Sequence, residues 1–282
     1  MDKNLLDAAT SNFSLPHDVV QLPTKGLFYK SKKKTIKVGY LTASDENLLV
    51  NSRNSNQNII LNLLRNKIYE HDIRPEELME SDVEAILIFL RNTAFGPEYT
   101  LSVTDPKTDK TFETTISLDE LDIIKNEYNP DEDGTFTIKL PRSGDLVKVR
   151  PLSIGETNEL ETMAQSYPQG RVAPVVTWRL VKMIDSINGN EDKGTIATYV
   201  EQMPIMDSKY IRNFVKDNVP SLDLKRTVRT PSGELVTISV AFGVDFFRPF
   251  FWLPKIYVGW ILCNGQTIAY VLFGIYEHTN IC

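Results

Sequence analysis

The side chains that most often do metal or redox chemistry are few and far apart in this 282-residue chain. The three histidines, His17, His71 and His278, include no i,i+4 pair of the kind that holds a metal on a helix. The two cysteines, Cys263 and Cys282, form no closely spaced pair, so we expect neither a zinc module nor a disulfide framework. The sequence therefore predicts no metal site.

Motifs for a nucleophile or a phosphate are also missing. The chain contains no Gly-x-Ser-x-Gly elbow and no glycine-rich loop before a predicted helix. The acidic clusters Asp45-Glu46, Glu76-Glu77 and Asp131-Glu132-Asp133 lie at predicted helix starts or in a predicted linker, and carboxylates favour the positive end of a helix dipole. The sequence predicts no catalytic residue, no cofactor and no small-molecule substrate; a paired-carboxylate hydrolase is the enzymatic alternative.

The charge of the chain argues against a nucleic-acid partner. Its formal net charge is −6 and its pI is about 5.3, so most of its surface would repel phosphates. The basic run Lys32-Lys33-Lys34 has no neighbouring arginines or aromatic residues and is predicted to be a solvated loop.

Two parts of the sequence repeat one plan. The alternating segment Ile36–Thr42 is echoed by Val147–Ser153, and each leads directly into a predicted helix start. At each start a hydroxyl stands three residues before a carboxylate, Asp45 or Glu156. This capping-box pattern satisfies two backbone donors at a helix N-terminus.

Further correspondences extend the repeat. A Leu-Pro-x-x-Gly turn precedes each strand, at Leu22–Gly26 and at Leu140–Gly144. A later helix follows in each copy, and these helices are predicted to be capped at Ser81-Asp82 and at Asp207. The separation of equivalent residues grows from 111 (36 to 147) to 125 (82 to 207). One insertion after a tandem duplication would produce this; chance similarity of two common strand–cap–helix segments is the alternative.

These patterns predict an α+β protein of two related helical units, each bearing antiparallel β-hairpins, with an internal duplication and pseudo-twofold packing. The predicted domains are an extended N-terminal arm over 1–21, a first α+β half over 22–125, an acidic linker over 126–136, a second α+β half over 137–245 and an aromatic-rich C-terminal segment over 246–282.

Local patterns assign the smaller elements. Gly26–Tyr29 and Thr35–Val38 are predicted to be strands joined by the lysine-rich loop, and a helix is predicted over about 174–187. Hairpins are predicted over 99–116 and 227–240.

An aromatic cluster begins the C-terminal segment at Phe246–Trp252, with Arg248 and Pro249 inside it. Aromatic residues and arginine dominate the binding energy of protein interfaces, although the same residues also close a protein's own core. Both interpretations are open for this cluster. The candidate partner-binding residues are Phe28, Tyr29, Phe246, Phe247, Arg248, Phe250, Phe251 and Trp252.

The apolar stretch Ile256–Tyr276 has about the length of a membrane span, near 20 residues. Asn264-Gly265 lies at its centre and is the strongest short signal for a β-hairpin. A hairpin is therefore predicted here, and membrane contact is the less favoured interpretation.

The order of several motifs resembles the baseplate hub proteins of T-even-type contractile-tailed phages, over about residues 20–250. The segments that carry the resemblance are Leu22–Tyr29, Val38–Glu46, Asp82 with Leu87–Arg91, Phe95–Tyr99, Leu140–Gly144 and Phe246–Pro249. In that family the hairpin tips often carry cysteine pairs. Here the tips at Thr104–Thr108 and Arg229–Gly233 keep only their prolines, so no metal function is implied.

The resemblance implies a structural, non-enzymatic component of the central hub of a phage tail baseplate. Its partners would be other hub and tail proteins, and it would act by protein–protein binding during tail assembly, in the host cytoplasm and then in the virion. One alternative is a transient hub-assembly factor that is absent from the finished particle. Another is a membrane-contacting tail protein acting through its C-terminal segment.

Overall fold

The computed structural model describes residues 16–50, 56–119, 121–242, 244–247, 257–263 and 266–272. The chain divides into two compact units, Met1–Phe247 and Arg248–Cys282.

The described residues form seven α-helices and a set of short antiparallel sheets, which confirms the predicted α+β class. The helices are α1 (Ala43–Val50), α2 (Asn56–Lys67), α3 (Glu80–Phe95), α4 (Ile154–Gln165), α5 (Val175–Met183), α6 (Lys193–Gln202) and α7 (Ile205–Asn218), and 3₁₀ turns cover Pro75–Glu77 and Val244–Phe247. The strands are β1 (His17–Gln21), β2 (Thr35–Gly39), β3 (Glu98–Thr104), β4 (Thr111–Ser117), β5 (Ile123–Ile124), β6 (Phe136–Lys139), β7 (Leu146–Val149), β8 (Ile184–Ile187), β9 (Ser221–Leu222), β10 (Lys225–Arg229), β11 (Leu235–Ser239), β12 (Tyr257–Cys263) and β13 (Gln266–Leu272).

Strand pairing in the first unit is mostly local. The predicted hairpins are present as β3–β4 and β10–β11, while β6, β7 and β8 form a three-stranded sheet. The β5–β9 pairing is antiparallel and joins residues from the two predicted halves. In the second unit β12 pairs with β13, which confirms the hairpin predicted around Asn264-Gly265.

Two clusters of buried apolar side chains fill the first unit. The first is formed by β1, β2, α2 and α3, and the second by β6, β7, β8, α5, α6 and α7. Val228 and Ile238 of the second hairpin pack against the first cluster, and Phe28 packs against both clusters. The two predicted halves therefore share their cores.

The prediction that Gly26–Tyr29 is a strand is wrong. Leu22–Gly26 is a turn in which Lys25 and Gly26 have φ angles of 51° and 77°. Such positive angles do not occur in a β-strand, and glycine adopts them most readily. A side chain at Gly26 would lie 2.5 Å from the backbone of Lys32. The strand that pairs with β2 is β1 instead.

Two predicted helix caps are also wrong. The N-cap of α3 is Met79 and that of α7 is Pro204, so Ser81, Asp82 and Asp207 lie inside the first turn of their helices. The two aspartates bind another segment of the chain, as described below. By contrast, Ser153 and Glu156 form the predicted reciprocal capping box of α4.

The prediction of one helix over 174–187 is wrong for its last four residues, Ile184–Ile187. Helix α5 ends at Met183, and the next four residues form β8 against β7. The run Ile184–Ile187 contains two isoleucines that are buried at the centre of the second cluster, and β-branched residues favour a strand where a sheet can receive them.

Candidate functional site

The structure places the candidate partner-binding residues in the interior where it describes them. Tyr29 is 5% exposed and Phe246 and Phe247 are 1% exposed, while Phe28 is half-buried. Arg248, Phe250, Phe251 and Trp252 lie outside the described residues. That these eight residues bind a partner stays a prediction.

Tyr29 belongs to a buried hydrogen-bond cluster around Asp82. The Thr24 backbone N–H donates to Asp82 Oδ1 at 3.0 Å, and the Thr24 and Tyr29 hydroxyls both donate to Asp82 Oδ2. The Tyr29 oxygen in turn accepts from the Met79 N–H at 2.8 Å. This cluster fixes the Leu22–Gly26 turn against the start of α3.

The titration of this cluster is dominated by burial. Burial raises the pKa of the Asp82 carboxyl above its usual value, although the hydrogen bonds from Thr24 and Tyr29 act in the opposite direction. Burial, followed by the charge of Asp82, also raises the pKa of the Tyr29 phenol. The Tyr29 hydroxyl therefore keeps its proton and remains a donor to Asp82.

Asp207 makes the corresponding contact in the second half. Its carboxylate accepts from the Arg142 N–H at 2.7 Å and from the Ser143 N–H at 3.0 Å, and Asp207 is fully buried. Asp82 and Asp207 are each the third residue of their helix, and each binds the third residue of a Leu-Pro-x-x-Gly turn. The duplication stays a prediction, and this shared contact agrees with it.

Phe246 closes the first cluster over a buried arginine. The Arg91 guanidinium donates to the carbonyl oxygens of Gly96 at 2.7 Å and Glu98 at 2.9 Å. The same group lies 4.8 Å from the ring centre of Tyr99 and 5.7 Å from that of Phe246. A buried guanidinium between aromatic faces is a favourable cation–π arrangement, so Phe246 joins the end of the first unit to the end of α3.

The two hairpin tips touch each other. Asp105, at the β3–β4 tip, accepts from the Ser232 hydroxyl at 2.9 Å and from its N–H at 3.3 Å. Burial alone would raise the pKa of Asp105, but hydrogen bonds from the Lys107 N–H and from Ser232 outweigh it and lower that pKa. The contact joins the two predicted halves at a point where neither hairpin contributes a cysteine.

Exposed aromatic and apolar side chains gather along α7. Tyr210 and Tyr128 both pack against Phe214, with ring centres 6.0 Å and 5.6 Å away, yet 36% of Tyr210 and 58% of Tyr128 remain exposed. Met206, one turn before Tyr210, is 62% exposed. Sequence reasoning missed this surface, since its pattern of apolar residues also fits a helix face packed in a core.

A second apolar surface is the open groove of about 460 Å³ between α4, α5 and α6. Met163 and Trp178 line it, and its Glu159 carboxylate is paired with Lys182 at 2.8 Å. Among the described residues no group of three or more His, Cys, Asp or Glu side chains could hold a metal ion. Within the same residues no helix combines the length and hydrophobicity needed to cross a membrane.

Comparison with known proteins assigns the family. No curated protein and no solved structure was found to match the chain. A family model described as T4 bacteriophage base plate protein matches residues 23–248, which include all but the first residue of the Leu22–Gly26 turn, the whole Leu140–Gly144 turn, both buried aspartates and Phe246. The chain therefore belongs to the family of T4 bacteriophage base plate proteins.

Proposed function

We propose that this protein is a structural component of the central hub of the tail baseplate and acts by binding other hub and tail proteins. Membership of the family indicates a location in the baseplate of the virion tail. The position in the central hub is our proposal. One observation supports the hub position: residues that carry the resemblance to hub proteins contact one another. Thr24 binds Asp82, and Arg91 lies under Phe246.

The proposed mechanism is recognition without bond-making, in agreement with a family of structural proteins. The protein would fold in the host cytoplasm and dock onto neighbouring subunits as the tail assembles. Arg248, Phe250, Phe251 and Trp252 remain proposed contacts in the segment that follows the buried Phe247, and aromatic and arginine side chains suit that purpose.

Mass spectrometry of purified tails tests the proposal. We expect the protein in intact particles at a fixed ratio to an established tail protein, and chemical cross-links from it to central baseplate proteins. A protein that assembly requires but that finished particles lack would support the transient assembly factor instead. Cross-links only to peripheral baseplate proteins would overturn the hub position while leaving the family assignment intact.

A further inference from the structure

Two helices of the first unit dock through the same contact, and this allows their surfaces to be compared position by position. In α3 and α7 the third residue, Asp82 or Asp207, binds the backbone of a Leu-Pro-x-x-Gly turn. With the helices aligned on these aspartates, each residue of α3 matches the α7 residue 125 positions later (82 to 207).

One face of this pair is covered on α3 and uncovered on α7. On α3 the exposed fractions of Ser81, Ile88 and Arg91 are 5%, 8% and 0%. Glu84, Ala85 and Asn92, on the same face, are half-buried. At 3.6 residues per turn, the matching α7 residues occupy roughly one third of the helix circumference. All of them are exposed: Met206, Lys209, Tyr210, Asn213, Lys216 and Asp217.

The cover over α3 comes from the chain that follows α7. Strand β9 packs against α3, and the Phe246 ring lies over Arg91. Phe246 also contacts Phe242 and Phe247, with ring centres 4.9 Å and 5.3 Å away, and Asp245 stands within this stretch in the sequence. The face of α3 is therefore covered by an aromatic segment that includes an acidic residue.

The uncovered face of α7 has the chemistry to receive a similar segment. Met206 and Tyr210 provide apolar and aromatic area, and the rings of Phe214 and Tyr128 extend it. Lys209 and Lys216 occupy the positions that match Glu84 and Arg91 of α3. Within the described part of the chain the side chain of neither lysine makes a hydrogen bond or an ion pair. The surface thus combines aromatic contact with a net positive charge, since two lysines stand against the single carboxylate of Asp217.

We propose that this face of α7, the six residues from Met206 to Asp217 named above, is a docking surface for an aromatic, acidic segment of a different baseplate protein. The proposal deepens the proposed function and rests on it. Large exposed apolar areas rimmed by polar residues mark interaction sites, and opposite charge across an interface guides association and register.

A second copy of the chain fits this surface poorly. Its own aromatic segment is already in its core, with Phe246 and Phe247 each 1% exposed.

The first experiment uses a synthetic peptide with the sequence of residues 240–247 as the probe, because this segment contains the aromatic rings that cover α3 and also includes Asp245. We expect the full-length protein to bind the labelled peptide in fluorescence anisotropy. We expect Tyr210→Ala, or Lys209→Glu with Lys216→Glu, to weaken that binding about tenfold. Val172→Asp, at a residue that is 94% exposed on another surface, is the matched control and should bind as the wild type does.

Absence of binding, or equal binding by the α7 variants, would overturn the proposal. Sedimentation of the unmodified protein adds a second readout: a monomer supports a docking face that is free for another protein. A dimer that Tyr210→Ala dissociates would assign the face to a second copy and overturn our choice of partner. Circular dichroism checks that every variant is folded.

Particle composition separates this proposal from the proposed function. Wild-type protein that is missing from purified tails contradicts the hub function. Wild-type protein that is present, together with α7 variants that are incorporated equally well, contradicts the docking face alone.

Discussion

At the scale of single residues, the buried charges of the first unit differ in how they are satisfied. Asp82 and Asp207 are fully buried, and hydrogen-bond donors from a neighbouring turn surround each carboxylate instead of a cation. Glu84 is half-buried without such donors. Stability should therefore respond in opposite ways to removal of Asp82 and neutralisation of Glu84.

Replacing Asp82 by alanine should be strongly destabilising. The change leaves the Thr24 N–H and the Thr24 and Tyr29 hydroxyls without an acceptor in the interior. Since each buried unsatisfied group costs roughly 1–3 kcal/mol, we expect a loss on the order of 3 kcal/mol in urea unfolding at pH 7. Asp192→Ala is the control, because Asp192 is exposed and caps α6, and an exposed cap is worth about 1 kcal/mol. Equal losses in the two variants would contradict the importance of the buried cluster.

Neutralising Glu84 should stabilise the protein at alkaline pH. Burial, followed by the charge of Glu80, raises the pKa of Glu84 to about 7, above its usual value of 4.5. The folded state therefore holds this proton more tightly than the unfolded state, and the stability it contributes is present below pH 4.5 and lost as the pH rises through 7.

We expect Glu84→Gln to raise the free energy of unfolding by on the order of 2 kcal/mol at pH 8, with little change at pH 4.5. Thermal unfolding at both values measures the effect, and Glu113→Gln, at an exposed glutamate of β4, is the control. A gain of equal size at both pH values would mean that packing, not titration, is responsible.

At the scale of elements, the two hairpins depend on each other. An isolated two-stranded hairpin is marginally stable, and β3–β4 and β10–β11 are separate two-stranded sheets. The Asp105–Ser232 contact holds their tips together. A local interaction of this kind should govern local opening more than global unfolding.

We expect Asp105→Ala to raise amide hydrogen exchange at both tips, residues 105–110 and 230–234, by roughly tenfold, with little change in α3 or α7. Hydrogen exchange followed by mass spectrometry measures this. The lowered pKa of Asp105 predicts that the wild-type protein also loses this protection as the pH falls below about 4. Faster exchange at only one tip would show that the hairpins close independently.

At the scale of the whole molecule, the first unit is tied together by contacts distant in sequence. The Ile154 N–H donates to the Leu78 carbonyl, β5 pairs with β9, and Phe246 packs on Arg91. We infer that the predicted halves do not unfold separately, because the segments that follow α7 complete the core built by α2 and α3.

Phe246→Ala should therefore destabilise the whole first unit. Truncating a fully buried phenylalanine typically costs about 3–5 kcal/mol, and here it also removes one of the two rings beside the Arg91 guanidinium. We expect a lower midpoint with a single transition in urea, followed by both fluorescence and circular dichroism. Phe95→Ala, at a ring that is 36% exposed, should cost far less. Two separated transitions in the wild type would contradict a shared core.

Patterns confined to a few neighbouring residues were sufficient to predict several of the helix and strand positions of this protein. The capping box located the start of α4, and alternation located the hairpins β3–β4 and β10–β11. The order of motifs also pointed to the phage baseplate. Each of these depends on hydrogen bonds or side-chain repeats within one element, which the sequence displays directly.

The tertiary structure alone decided which segments meet. It paired β2 with β1 rather than with Gly26–Tyr29, and it directed Asp82 and Asp207 to turns that lie 58 and 65 residues away. It buried Phe246 and left Tyr210 exposed, although both are aromatic residues in apolar patterns. The physical reason is that burial and strand pairing depend on which distant surfaces come together, and no local pattern records that choice.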